Sequence, residues 1–268
     1  MKEEQKNYPK IAKNTTKVTR KKLVITSMLG ALGLVMGELI RRGNDRDPVI
    51  AKVDTSMSKY GMVIDLDRCI GCNACTIACK QENNTPPEIH YNVVIEKEEG
   101  TFPHVRKMFL PRICMQCDKP PCVKVCPVGA TRKRNNGIVD IDYATCIGCR
   151  YCMTACPYGA RSFDFGVNYY KEPTQFESSV YYEYENTYIR EKGEAPQNNV
   201  RKCHYCSHRL QQGKKPACVT VCLGKARIFG DLNDKDSIIS RVVTKSWGLK
   251  NNLGTEPRTR YLGERREI

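Results

Sequence analysis

The sequence has few histidines and no cysteine to spare. Four histidines, His90, His104, His204 and His208, serve 268 residues, and none combines with a serine and an aspartate into a recognisable triad. No glycine-rich phosphate loop is present, and no flavin or nicotinamide fingerprint. These absences remove the usual signals of a hydrolase, a nucleotide-driven enzyme and a dinucleotide oxidoreductase. The formal charge is +15, from 44 Lys and Arg against 29 Asp and Glu. The basic residues form no single helix or stripe and accompany no nucleic-acid motif, which argues against nucleic acid as a partner. Long apolar stretches are absent except for 23–40, LVITSMLGALGLVMGELI, broken only by Thr26, Ser27 and Glu38.

Cysteine is what the chain has in quantity. The sixteen cysteines make up about 6 per cent of the residues, below the density of a small disulfide scaffold. They fall in four groups of four, within 69–79, 114–126, 146–156 and 203–222, and none lies elsewhere. A disulfide framework has no reason to obey that rule, whereas tetrahedral cluster ligation does. Group one reads Cys69-x2-Cys72-x2-Cys75-x3-Cys79, and group three Cys146-x2-Cys149-x2-Cys152-x3-Cys156-Pro157. This is the run of bacterial ferredoxins, in which three cysteines wrap one [4Fe–4S] cubane and the fourth reaches the other cluster of a pair. Zinc sites use two separated pairs and have no need of three ligands at three-residue steps. Gly71 and Gly148 sit where the backbone passes close to the inorganic core, a place for positive φ. Groups two and four are longer variants: Cys114-x2-Cys117-x4-Cys122-x3-Cys126, and Cys203-x2-Cys206-x11-Cys218-x3-Cys222. Sixteen thiolates saturate four cubanes, so the histidines are expected on the surface or in hydrogen bonds.

The groups alternate. MVIDLDRCIGCNACTIAC and GIVDIDYATCIGCRYCMTAC are internal copies, each with a short strand before the cluster loop. CMQCDKPPCVKVC and CHYCSHRLQQGKKPACVTVC share an opening CxxC and a closing CVxVC. Each oxidised cluster with its four thiolates carries about −2, which would bring the whole chain to about +7. Residues 1–48, with 11 Lys/Arg and 5 Asp/Glu, hold most of that excess, so the folded body is expected to be roughly neutral.

Residues 1–22 form a basic leader expected to be disordered. Residues 23–42 read as an export signal or a short membrane anchor, and 43–59 as a linker. Residues 164–200 contain no cysteine and six tyrosines, Tyr169, Tyr170, Tyr181, Tyr182, Tyr184 and Tyr188. They form either a surface excursion with its own small core or a partner-docking lobe.

CIGCNACTIACKQEN, RICMQCDKPPCVKVCPVGAT, GIVDIDYATCIGCRYCMTACPYGAR and KCHYCSHRLQQGKKPACVTVCLGKARIFGDLND, in that order, resemble the four-cluster subunits of respiratory molybdopterin oxidoreductases. These include the electron-transfer subunits of polysulfide, tetrathionate, dimethyl sulfoxide and nitrite reductase systems. The resemblance covers about 60–262. It implies an α+β fold of two nested ferredoxin-like halves related by pseudo-symmetry, 60–100 with 195–232 and 101–163, with 164–194 as a tyrosine-rich insertion and 233–268 as a tail packing on the body or a partner. It also implies four ligand sets. The first is Cys69, Cys72, Cys75 and Cys222; the second is Cys79, Cys203, Cys206 and Cys218. The third is Cys114, Cys117, Cys122 and Cys156; the fourth is Cys126, Cys146, Cys149 and Cys152. Two departures, Leu223 where the family has proline and Lys80 after Cys79, are expected to alter only the exits from the cluster helices.

The expected function is one-electron relay between a membrane quinone-reactive subunit and a molybdopterin catalytic subunit, with no turnover of its own. A diffusing polyferredoxin and a nucleic-acid-binding sensor are the alternatives; the apolar segment and the near-neutral body oppose them. Thr19-Arg20-Lys21-Lys22-Leu23-Val24 resembles a twin-arginine signal with its second arginine replaced, which implies a periplasmic body, a cytoplasmic one being the alternative. Residues 1–42 fused to a twin-arginine-dependent reporter should carry it across the inner membrane, and Arg20→Gln with Lys21→Gln should stop it. A reporter retained inside whatever these residues are would make the segment an anchor or a core element.

Overall fold

A strand precedes each cysteine group, and a strand follows each one. The computed structural model describes residues 57–184 and 186–263; the leader, the apolar segment and positions 43–56 of the linker lie outside the described residues. The entering strands are β1 (Tyr60–Asp65), β3 (His104–Ile113), β5 (Val139–Ile141) and β9 (Val200–Lys202), and the leaving strands are β2 (Asn92–Thr101), β4 (Thr131–Lys133), β6 (Arg161–Phe163) and β10 (Arg227–Asp231). Each entering strand pairs antiparallel with the leaving strand of the preceding group: β3 with β2, β5 with β4, β9 with β6. The last leaving strand, β10, closes on the first entering strand, β1. The four pairs thus form a cycle that returns the end of group four to the beginning of group one.

Met62, Val63 and Ile64 of β1 are fully buried, because β1 is the middle of a three-stranded sheet and is covered on both sides. β10 lies antiparallel on one edge, Met62 opposite Phe229. β11 (Thr259–Leu262) lies parallel on the other, Ile64 opposite Tyr261. The segment 233–263 therefore packs on the body: Tyr261 is fully buried, exchanges backbone hydrogen bonds with Trp247 and packs against its ring at a tilt, centroids 5.1 Å apart. Among the described residues no helix is long and apolar enough to cross a membrane.

The β2–β3 hairpin, ten residues a side, spans the expected boundary at 100/101. Its root carries Leu110 and Ile113 into the main core, and Val94 and Ile95 pack beside them. Its tip is charged, with Arg106–Glu99 at 2.9 Å and Lys107 beside Glu96. Such exposed pairs stabilise by at most ~1 kcal/mol each, so the hairpin is held at its root.

The tyrosine-rich excursion is anchored inward. Tyr181 and Tyr184 of the β7 (Tyr181–Glu183) and β8 (Asn186–Tyr188) hairpin region are buried, and Tyr184 meets Tyr143 edge-on at 5.4 Å. Glu183, fully buried, pairs with Arg201 at 3.1 Å, and Arg201 also reaches Asp164 at 3.0 Å and the Tyr91 hydroxyl at 2.7 Å. Arg190 closes on Asp164 at 2.9 Å. Tyr169, Tyr170 and Tyr182 stay exposed. Removing one partner of a buried pair leaves the other charge uncompensated, at about 3–5 kcal/mol. Glu183→Ala should therefore lower Tm by on the order of 10 °C in the iron-loaded protein. An unchanged Tm would show that the excursion is not anchored there.

Candidate iron–sulfur centres

The loops that carry the cysteines repeat one conformation. Two residues after the first cysteine of each group the backbone is left-handed: Gly71 at φ 70, Gln116 at φ 48, Gly148 at φ 67 and Tyr205 at φ 56. Groups one and three also share a left-handed residue just before the helix, Asn73 at φ 56 and Arg150 at φ 62. Right- and left-handed residues in succession turn neighbouring N–H groups to one side and make a concavity for an anion. The helices that follow are short, Ala74–Glu82 after the first loop and Tyr151–Thr154 after the third.

Exits from the groups also recur. Three residues after the last cysteine the chain turns left-handed at Gly129, Gly159 and Lys225, so Leu223 leaves the turn intact. Lys225 holds it at a steric cost of about 1–2 kcal/mol that glycine avoids. After Cys79 there is no such turn, because the helix runs on through Lys80 to Glu82. Backbone N–H groups meet the sulfurs at these exits: Thr131 donates to Cys126 Sγ at 3.4 Å and Ala226 to Cys222 Sγ at 3.3 Å. Burial pushes the Cys126 thiol up, but donation from the Thr131, Val128 and Ala130 backbone outweighs it and leaves the group below its ordinary pKa.

The fold brings the sixteen cysteines together across groups. Cys69, Cys72, Cys75 and Cys222 line one cavity with Gly71 and Arg227. Cys114, Cys117, Cys122 and Cys156 line a second with Arg161. Cys79, Cys203, Cys206 and Cys218 are all buried; burial first, then the neighbouring Cys206, Cys203 and Cys218, hold the Cys79 thiol well above its ordinary range. Cys152 is raised by burial, with Cys146 and Cys126 adding to it. Cys149 lies between Cys146 and Cys152 in the chain and is exposed. In three cases the last cysteine of one group stands with the first three of another, and in the fourth Cys126 stands with Cys146 and Cys152. Among the described residues no three His, Cys, Asp or Glu side chains converge as a single metal ion would require; the sulfurs instead line cavities that a multi-iron group would fill.

Side chains outside the cysteine groups complete the sites. Asn92 Nδ2 donates to Cys75 Sγ at 3.1 Å, and Asn83 Nδ2 to Cys79 Sγ at 3.5 Å. Gln116 bridges the Cys203 carbonyl at 2.7 Å and the Val139 N–H at 2.8 Å. His204 is buried between Ser207 Oγ at 3.1 Å and Asn83 Oδ1 at 3.0 Å. Burial, then His208 and the cations nearby, holds its pKa well below the usual range. His208 bonds Glu82 at 2.8 Å. Arg227 donates to Cys75 Sγ at 3.4 Å and Cys218 Sγ at 3.7 Å. Arg161 is buried beside Thr131 Oγ1 at 3.3 Å, and its Nη2 has no hydrogen-bond partner. A buried, unpartnered donor on a residue that lines a thiol-lined cavity fits an anionic cluster there. Sequence reasoning missed both arginines. The available signal was their shared offset, five residues after Cys156 and Cys222 in CPYGAR and CLGKAR.

Comparison with known proteins defines the class. A model described as a 4Fe-4S dicluster domain matches 62–130, and another of the same description matches 105–172 and 184–232. The chain is 50% identical over 230 residues to a selenate reductase subunit of Mesobacillus selenatarsenatis, covering 84% of this chain and 78% of the relative. It is 39% identical to the arsenate respiratory reductase iron–sulfur subunit of a Shewanella species, covering 76% and 96%. It is 40% identical to a tetrathionate reductase subunit of Salmonella typhimurium, covering 76% and 72%. The chain belongs to the family of iron–sulfur electron-transfer subunits of molybdopterin oxidoreductases, and its cysteines fit four [4Fe–4S] clusters.

Gly148 shows how tightly one loop is built. A Cβ there would stand 2.4 Å from the Asn198 carbonyl oxygen at a φ that L residues rarely adopt, whereas Gly129, at a similar φ, faces open space. Gly148→Ala should therefore speed iron loss to a chelator well beyond Gly129→Ala, whose cost is about 1–2 kcal/mol of backbone strain. Equal rates for the two variants would mean that the Asn198 backbone yields.

Proposed function

We propose that the four sets of cysteines brought together by the fold are the ligand shells of four clusters, through which the chain relays single electrons. The observation that carries this reading is the crossing: Cys222 lines the cavity of Cys69, Cys72 and Cys75, and Cys156 that of Cys114, Cys117 and Cys122. Cys79 among Cys203, Cys206 and Cys218, and Cys126 beside Cys146 and Cys152, extend the same rule. A fourth cysteine that belongs to the neighbouring cluster is the signature of paired ferredoxin sites.

An order along the relay follows. Cys114 is close enough to Cys203 to add to the rise that burial imposes on the Cys203 thiol, which joins the second set to the third. The second set is wholly buried, while the first and fourth each expose one cysteine, Cys72 and Cys149. The order first–second–third–fourth leaves two ends at the surface. Exposed Ile70 and Leu223 flank one end, Ile147 and Tyr151 the other, apolar surface of the kind buried at subunit contacts. One end serves a molybdopterin catalytic subunit, a reading supported by the reductase names of the relatives. The other serves an integral-membrane quinone-reactive subunit, with the body on the outer face of the membrane after export; the basic and apolar 1–42 segment supports that location. The β1–β10 and β4–β5 pairs support two nested ferredoxin-like halves, with 164–194 as an insertion between them. The diffusing polyferredoxin is disfavoured, since the relatives are named as subunits.

One variant tests both parts. Cys79→Ala should damage the cluster of Cys203, Cys206 and Cys218 and spare that of Cys69, Cys72 and Cys75, read by electron paramagnetic resonance. It should also abolish quinol-driven turnover of the complex while a dye that reduces the catalytic subunit directly still supports it. Loss of the Cys69 site would overturn the crossing; full quinol-driven turnover would overturn the relay.

A further inference from the structure

Six Lys and Arg side chains are buried among the described residues. Three have carboxylates: Arg190 and Arg201 meet Asp164, and Arg258 faces Asp118 at 3.6 Å. The other three, Arg161, Lys202 and Arg227, have none among the described residues. An uncompensated buried cation is strongly unfavourable, so an anion of another kind must stand beside each. What stands beside each is cysteine.

Arg227 donates to Cys75 of the first set and Cys218 of the second, and Asn92 Oδ1 fixes its Nη2 at 2.5 Å. Arg161 lines the cavity of the third set, and its unpartnered Nη2 lies in the same buried region. It is also the first opposing influence, after burial, on the thiol of Cys152 in the fourth set. Lys202 is fully buried, with Nζ donating to the Cys203 carbonyl at 2.8 Å. Burial raises the thiols of Cys122 in the third set and Cys203 in the second, and Lys202 opposes it at both. The three cations therefore fall at the three junctions of the relay: Arg227 between the first and second clusters, Lys202 between the second and third, Arg161 between the third and fourth.

We propose that these cations are electrostatic couplers: each raises the reduction potential of the two clusters that flank it and screens the repulsion between them when one is reduced. The inference rests on the ligand sets proposed above. When bound, each cluster accepts or gives up one electron. No bond forms or breaks in the transfer and no proton moves; the cation keeps its charge and offsets the extra negative charge on whichever neighbour holds the electron. In a low-dielectric interior that offset is large and falls with distance, so each cation acts on its own pair of clusters. Arg161 and Arg227 reach equivalent positions because each opens the strand that leaves a cysteine group. Lys202 ends the strand that enters group four.

The test is a redox titration of the full chain, purified anaerobically with its partner subunits and followed by electron paramagnetic resonance, with signals assigned through Cys→Ser variants of the four sets. Arg227→Met should lower the potentials of the first and second clusters by about tenfold in the reduction equilibrium, about 59 mV for one electron, and leave the third and fourth in place. Lys202→Met should lower the second and third, and Arg161→Met the third and fourth. Arg227→Lys, Arg161→Lys and Lys202→Arg should keep all potentials within roughly threefold, about 28 mV by the same conversion. A neutral variant with full iron and unmoved potentials, or with all four moved alike, overturns the proposal. If one of these neutral variants sheds iron, the exchange to glutamine at that position carries the same comparison. If both shed iron, the charge-keeping exchange decides, and a shift beyond threefold overturns the electrostatic reading. Fewer than four clusters in the unsubstituted protein would instead overturn the ligand sets; four clusters with unmoved potentials would overturn the couplers alone.

Discussion

Gathering sixteen thiolates inside one small body is the constraint on which the rest of this structure depends. Without iron, burial pushes the Cys117 and Cys203 thiols up to about 12, with neighbouring cysteines adding to it. Iron reverses that preference by binding the thiolate form, so the free energy of cluster binding becomes part of the free energy of folding. The short helices and tight loops make sense in that light. Helices such as Pro121–Lys124 or Ala217–Thr220 have a single turn, too short to persist alone, and each carries one cysteine and is followed by another that a cluster would hold in place.

Loops of this kind need fixed ends, and the strand cycle supplies them. Each cysteine group hangs between an entering and a leaving strand, and each of those strands is clamped to a strand of the group before or after. Two of the pairs, β2 with β3 and β6 with β9, tie groups one and four to groups two and three. The position of one cluster relative to the next is thereby set by hydrogen-bonded ladders, as electron transfer between fixed centres demands. The parallel strand β11 and the buried Tyr261 extend this clamp to the end of the described chain.

Charge inside the body is handled in two ways. In the tyrosine-rich region Arg201 and Arg190 are neutralised by Asp164 and Glu183, a network that ties the excursion to the second cluster region through Asn83 and Tyr91. Around the cysteines the cations are left for the clusters to neutralise. The same residue type thus serves as a structural staple in one place and faces the redox centres in the other, and its surroundings alone decide which.

The cysteine spacing was enough to read the number and type of clusters, because ligand steps of three residues reflect how a chain wraps a cubane locally. The internal copies predicted matching loops, and Gly71 and Gly148 adopt matching left-handed φ. At Gln116 and Tyr205 the same left-handed backbone is carried by residues that give no sign of it, since tertiary packing can impose a conformation that composition does not favour. The tyrosine-rich stretch read as a surface excursion with its own small core or as a docking lobe, and the buried Glu183–Arg201 pair is what turns Tyr181 and Tyr184 inward. Among 44 basic residues, Arg161 and Arg227 are marked only by their shared offset from Cys156 and Cys222, and Lys202 by nothing local. By itself the sequence marked which cysteines are candidates to hold iron and the local form of their loops, because ligand spacing is short-range chemistry. Only the tertiary structure decided which charges stand between the groups, because that depends on where strands from different groups pack, as Arg227 reaches both the neighbouring Cys218 and the distant Cys75.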